Sequence, residues 1–166
     1  RGGAKVLDLC TGSGAIAIAA AKNSPADVTA TDVSAAAAEV ARANALSAGV
    51  KVRVLTGDMF APVAEEKFDV IVSNPPYIPT DDIRTLDEKV RAFEPLSALD
   101  GGADGLDFYR VIAVVAGAHL TEGGVLLLEF GEGQADALKE MFAEYATEVY
   151  TDMQGAERIL RAEKKQ

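Results

Sequence analysis

Apolar runs of about five residues alternate along this chain with alanine-rich stretches, and the alternation predicts strand–helix units of a mostly parallel α/β sheet. Lys5-Val6-Leu7-Asp8-Leu9 reads as a short buried strand, followed by an Ala-rich helix from Ala15 through Ala21 that ends near Asn23-Ser24-Pro25. Asp27–Thr31 is a second strand, and Ser34 is placed to cap a helix over Ala35–Ala48 that Gly49 closes. Val50–Leu55 and Phe68–Ser73 are the third and fourth strands. Beyond them come a helix over Leu106–Leu120, a buried strand over Val125–Phe130 and an amphipathic helix over Ala135–Tyr145. Thr147–Thr151 and Arg158–Ala162 form a terminal strand pair. Pro79–Asp104 is the one long irregular stretch, readable as a lid or substrate wall or as a solvated loop.

Composition narrows the setting. The chain has 166 residues, 49% of them hydrophobic, enough for one domain with its own core. Its net charge of −10 argues against the basic stripe that a nucleic-acid enzyme uses to meet phosphates, so no direct nucleic-acid binding is expected. The single Cys10 excludes an internal disulfide framework; packing in a ligand turn suits it better than reactivity. No segment is long and apolar enough to span a membrane, and no signal peptide precedes the first strand; the expectation is a cytoplasmic monomer with no membrane partner. His119, the only histidine, falls late in a helix, where a helix-end or surface role is expected.

Three polar motifs follow strands. Cys10-Thr11-Gly12-Ser13-Gly14 joins the first strand to the first helix, where glycines let a ligand approach the backbone over a helix N-terminus. Ala17 stands where a dinucleotide fingerprint needs its third glycine, and no Gly-Lys-Ser/Thr follows, so neither of those motifs is present. Tight helix–strand packing alone also explains a Gly-x-Gly turn. Asp32 ends the second strand about 20 residues past that turn, where an acidic side chain accepts from both ribose hydroxyls. Its neighbour Val33 belongs to the same turn. Asp58, after the third strand, can accept from an adenine amino group while Met59 or Phe60 packs on the ring; an ordinary turn Asp is the alternative. Asn74-Pro75-Pro76-Tyr77 follows the fourth strand. The Asn amide oxygen and a backbone carbonyl can accept from an NH2, the prolines remove donors and fix φ, and Tyr77 offers a flat face. That equipment suits group transfer onto a weakly nucleophilic nitrogen, although the bare string also reads as a Pro-rich turn.

Asp8-Leu9-Cys10-Thr11-Gly12-Ser13-Gly14, Asp32, Gly57-Asp58 and Asn74-Pro75-Pro76-Tyr77 together resemble the class I S-adenosylmethionine-dependent methyltransferases. Phe93-Glu94-Pro95, Asp104-Gly105-Leu106-Asp107-Phe108-Tyr109-Arg110, the run Gly124–Gly131 followed by Gln134, and Gly155-Ala156-Glu157-Arg158 resemble the HemK/PrmC glutamine methyltransferases that modify the Gly-Gly-Gln glutamine of peptide chain release factors. A sister group acts on a large-subunit ribosomal protein and shares several of these elements. The resemblance implies a Rossmann-like, seven-stranded sheet of order 3-2-1-4-5-7-6 with strand 7 antiparallel and helices on both faces. It also implies S-adenosyl-L-methionine as cofactor, S-adenosyl-L-homocysteine as product, a release factor as partner, and no metal. Asp8, Cys10, Thr11, Gly12, Ser13, Gly14, Asp32, Val33, Asp58, Met59, Phe60 and Asn74 would bind cofactor; Asn74, Pro75, Pro76 and Tyr77 would hold the glutamine. The family's N-terminal helical docking domain is expected to be absent from this chain. A nucleic-acid amino-methyltransferase and a non-catalytic cofactor-binding module remain alternatives.

Overall fold

A computed structural model describes residues 3–86 and 95–165, and a seven-stranded sheet runs through the middle of it. In chain order the elements are β1 (Lys5–Leu9), α1 (Ala15–Asn23), β2 (Asp27–Asp32), α2 (Ala35–Ser47), β3 (Arg53–Thr56), β4 (Phe68–Ser73), α3 (Asp107–His119), β5 (Leu120–Glu129), α4 (Ala135–Met141), β6 (Tyr145–Thr151) and β7 (Glu157–Lys164). The strands lie in the order β3-β2-β1-β4-β5-β7-β6, with the first five parallel and β7 antiparallel to β5 and β6. This is the fold of the class I S-adenosylmethionine-dependent methyltransferases, as expected.

Side-chain alternation divides the core into two layers. The register row Leu7, Ile71, Leu126, Ala162 and its neighbour Leu9, Ser73, Leu128, Leu160 face one side. There they pack with Tyr109, Ile112 and Ala116 of α3 and with Leu138 of α4, all buried. Ser73 sits in this apolar row because its hydroxyl donates to the Leu9 carbonyl at 2.9 Å. The opposite face carries Val6, Val28, Ala30 and Val54, against Ala17 of α1 and Ala38 and Ala41 of α2. In α2 the buried alanines recur every three or four residues, the helical period. Its N-terminus is closed as expected, the Ser34 hydroxyl accepting from the Ala37 amide at 3.2 Å.

Four expectations are corrected. The helix read over Ala135–Tyr145 ends at Met141, because Tyr145 already pairs with Lys164 in β6. β3 starts at Arg53 rather than Val50, because pairing with β2 begins only at Thr29 opposite Arg53. β5 starts at Leu120, directly after α3, and runs through the glycines at 123 and 124; a register shift between Phe68 and Val70 absorbs the irregularity. His119 does end its helix but is not on the surface. Its ring is buried, stacks on Phe60 with centroids 4.7 Å apart, and places Nδ1 2.9 Å from the Glu66 carbonyl. Of the long irregular stretch, Val90, Phe93 and Glu94 lie outside the described residues.

Candidate active site

The carboxyl ends of β1, β2 and β4 open onto one cleft of about 710 Å³, where open α/β sheets take their ligands. Cys10, Thr11, Gly12 and Ser13 form one wall, Asp32 and Val33 the next, and Asp58 with Met59 a third. Asn74, Pro75, Pro76 and Tyr77 close the opposite side, backed by Leu99 and Phe108. The end of the irregular stretch therefore does border the cleft, as a substrate wall would.

Three expected contacts stand apart. Phe60 is in the core on His119, leaving Met59 as the sulfur-bearing face of the cleft. Gly14, at φ 83, begins α1 behind the cleft; a Cβ there would lie 3.1 Å from that of Ala41, so its role is close helix packing. Asp8 lies beneath the glycine turn, in the register row Val54, Ala30, Asp8, Val72. One carboxylate oxygen accepts from the Thr11 hydroxyl at 2.6 Å and the Ala17 amide at 3.1 Å. It thus ties the turn to the first turn of α1, which has no side-chain cap of its own. The other oxygen, Oδ1, is buried without a partner. Burial, partly offset by the Thr11 and Ala17 bonds, raises the Asp8 pKa to about 6.

Asp32 is both a turn residue and a cleft residue. Its Oδ2 accepts from the Gly12 amide and its Oδ1 from the Ser34 amide, each at 2.9 Å. These bonds fasten the β1 and β2 turns to each other, and each carboxylate oxygen keeps a further lone pair for a ligand hydroxyl. Asn74 is exposed at the tip of β4, and among the described residues nothing hydrogen-bonds its amide. Tyr77 is half-buried; burial and then Glu129 hold its hydroxyl above the ordinary range, so it is a neutral phenol at physiological pH. Among the described residues, the ionisable side chains that line the cleft with their charge are the acids Asp32 and Asp58, with no Lys, Arg or His. Sequence reasoning had not assigned Val40 or Leu99 to the site. Val40 stands half-exposed on α2, and nothing in the sequence separates it from Leu46, the other exposed apolar residue of that helix.

Residues 2–90, which contain every motif wall just described, match the methyltransferase small domain family. The chain belongs to that family. This methyltransferase domain is 48% identical over 141 residues to a protein named release factor glutamine methyltransferase from Geobacter sulfurreducens, covering 84% of this chain and 50% of that protein. It is 46% identical over 143 residues to one named ribosomal protein uL3 glutamine methyltransferase from Bradyrhizobium diazoefficiens, covering 84% of this chain and 44% of the other. The chain spans about half the length of the curated relatives it matches. Among solved structures it superposes on a methyltransferase from Pyrococcus furiosus with TM-score 0.76 and 25% identity, covering 100% of this chain and 77% of that one. A 16S rRNA N2 G1207 methyltransferase from T. thermophilus, solved with AdoMet and guanosine, superposes with TM-score 0.69 at 25% identity, covering 99% of this chain and 38% of its own.

Cys10 lines this methyltransferase cleft. Its Sγ is 3.6 Å from the Met59 sulfur, and both residues hold positive φ, 56° and 42°. Burial, then the charge of Asp32, pushes the thiol pKa up to about 12. Alkylation by iodoacetamide at pH 8 should therefore run at least tenfold slower than for free cysteine, measured by mass spectrometry; a rate equal to that of free cysteine contradicts the assignment.

Proposed function

We propose that this chain transfers a methyl group from S-adenosylmethionine to the side-chain nitrogen of the glutamine in the Gly-Gly-Gln motif of a peptide chain release factor. The observation that carries the reading is the exposed amide of Asn74, without a hydrogen-bond partner among the described residues, held at a strand tip on a loop whose two prolines have no N–H. Such a loop offers acceptors to an NH2 group, and its two prolines add no backbone donor that competes for them. The names of relatives at 42–49% identity, four release factor glutamine methyltransferases among them, support the substrate.

The cleft suits the cofactor. Its volume holds a nucleoside with an amino-acid tail, Asp32 has lone pairs free for ribose hydroxyls, and Asp58 can accept from an adenine amine. Two carboxylates, with no lining cation among the described residues, favour a ligand of net positive charge. Met59 and Val40 supply apolar contact to the ring. When bound, S-adenosylmethionine supplies an electrophilic methyl carbon whose bonding pair leaves with neutral S-adenosylhomocysteine. The residues of the chain do the rest. An amide nitrogen is a poor nucleophile because its lone pair is delocalised into the carbonyl. The Asn74 side-chain oxygen and the Pro75 carbonyl accept from the glutamine NH2, turn its remaining electron density toward the methyl carbon and favour the positive charge that develops on the nitrogen. Tyr77 packs against the substrate side chain. The displaced proton leaves to water or along the loop.

Asp32→Ala should weaken S-adenosylmethionine binding by about 1–3 kcal/mol, roughly five- to 150-fold, read by calorimetry. Unchanged affinity would leave Asp32 with only its two turn bonds. The reading itself is tested by incubating the chain with S-adenosylmethionine and a bacterial release factor, or ribosomal protein uL3, and mapping methylation by mass spectrometry. One added methyl on the Gly-Gly-Gln glutamine supports it. Methylation of uL3 alone moves the substrate to that of the Bradyrhizobium relative. No methyl on either protein, with cofactor bound, overturns the glutamine assignment.

A further inference from the structure

The Asn74–Tyr77 loop leaves the sheet at Ser73, yet it is not held by β4 alone. The segment after it pairs with residues 99–102: the Ile78 amide donates to the Leu99 carbonyl at 3.0 Å, the Gly101 amide to the Ile78 carbonyl at 2.9 Å, and the Thr80 amide to the Gly102 carbonyl at 2.9 Å. The carbonyl of Tyr77 itself points elsewhere, to Gln134. The Gln134 Nε2 donates to Tyr77 O at 2.9 Å and to Gly105 O at 3.3 Å, while its Oε1 accepts from the Gly131 amide at 2.9 Å. Both ends of one carboxamide are thus engaged, by three segments far apart in sequence.

The fit leaves no room for another residue at the crossing. A Cβ on Gly105, which holds φ +75, would lie 2.2 Å from Tyr77 O and 2.7 Å from the Gln134 Nε2. Gln134 is also rigidly mounted. It precedes α4, its carbonyl accepts from the Leu138 amide at 3.0 Å, and Ala135 and Leu138 beside it are buried in the core.

We propose that Gln134 is the positioning residue of the Asn-Pro-Pro-Tyr loop, its carboxamide pinning Tyr77 and Gly105 to the end of β5. This deepens the reading above and rests on it for the reaction. Gln134 touches no reacting atom; it fixes the direction in which Asn74 and the Pro75 carbonyl face, and misalignment of such acceptors slows transfer without loosening the cofactor.

Gln134→Met keeps the length and removes both polar ends. Gln134→Glu keeps the shape but turns an ionised oxygen toward two carbonyls. Both variants should lower kcat for methyl transfer at least tenfold at pH 8, with KM for S-adenosylmethionine within about twofold. Amide exchange, read by mass spectrometry, should speed up in the peptide covering 76–80 while β1 and β4 keep their protection. For Gln134→Glu, lowering the pH through the carboxyl pKa restores a donor. Its exchange relative to wild type at the same pH should then return toward one, a reversal that a plain packing defect does not show. Unchanged exchange in 76–80, or exchange that rises equally throughout the fold, overturns the proposal. If the wild type transfers no methyl group, the functional reading fails separately, and the exchange measurements still decide whether Gln134 pins the loop.

Discussion

Asn74→Ala should lower kcat for glutamine methylation by about 100-fold or more while S-adenosylmethionine affinity stays within a few-fold. A lost hydrogen bond to the NH2 accounts for roughly 1–3 kcal/mol, and the lost alignment of the nitrogen adds to it. The split between the two readouts follows from geometry. Asn74 stands at the tip of β4, across the cleft from the glycine turn and Asp32, and its amide has no partner among the described residues whose loss would disturb the fold. Single-turnover rates together with calorimetric affinities check it. A variant with near-wild-type kcat would remove Asn74 from the reaction, and with it the main support for transfer to an amide.

The second large effect concerns Asp8 and pH. Its folded pKa of about 6 lies above the ordinary value of 3.8, so the folded protein holds this proton over a range where the unfolded chain has lost it. The stability that comes from Asp8 is therefore full below about pH 4 and is lost as pH rises through about 6; integrated, the loss is roughly 3 kcal/mol. Asp8→Asn removes the ionisation and keeps an oxygen for Thr11 and Ala17. Urea unfolding of both proteins between pH 4 and 7.5 isolates the effect from the many other carboxylates. The wild type should lose stability relative to the variant across that interval. Parallel curves would mean that Asp8 ionises without penalty, contrary to its burial.

Both expectations begin in residues that the sequence exposes to different degrees. β1 and β4 have the bounds read from the chain, because each is a short apolar run closed by a turn signal. Asp32, Asp58 and the Asn74–Tyr77 loop meet in one cleft because each follows a strand of the same parallel sheet, a consequence of topology that strand order alone dictates. The sequence offers Met59 and Phe60 alike for the adenine ring; which of them faces the cleft depends on His119, 59 residues further along the chain, on whose ring Phe60 stacks. The burial of His119 was equally hidden. Its partners Glu66 and Phe60 lie more than fifty residues away, and helix position says nothing about them. Asp8 was legible as a motif residue but not as a brace, since its place in an apolar row depends on the register of four strands. The Gln134 carboxamide is the extreme case: three loops must converge before its contacts exist.

The two layers of the core are unequal, and that has a thermodynamic consequence. Tyr109, Phe68, Phe130 and Phe142 fill the side under α3 and α4, whereas the side under α1 and α2 is largely alanine and valine. At about 25 cal/mol per Å² of apolar surface removed from water, the alanine side contributes far less cohesion per helix. Local opening is therefore expected there first, among helices whose N-terminal residues Ile16 and Ala37 also wall the cleft. An occupant of the cleft closes that opening by mass action, so the thinner half of the domain borrows its rigidity from the molecule it binds.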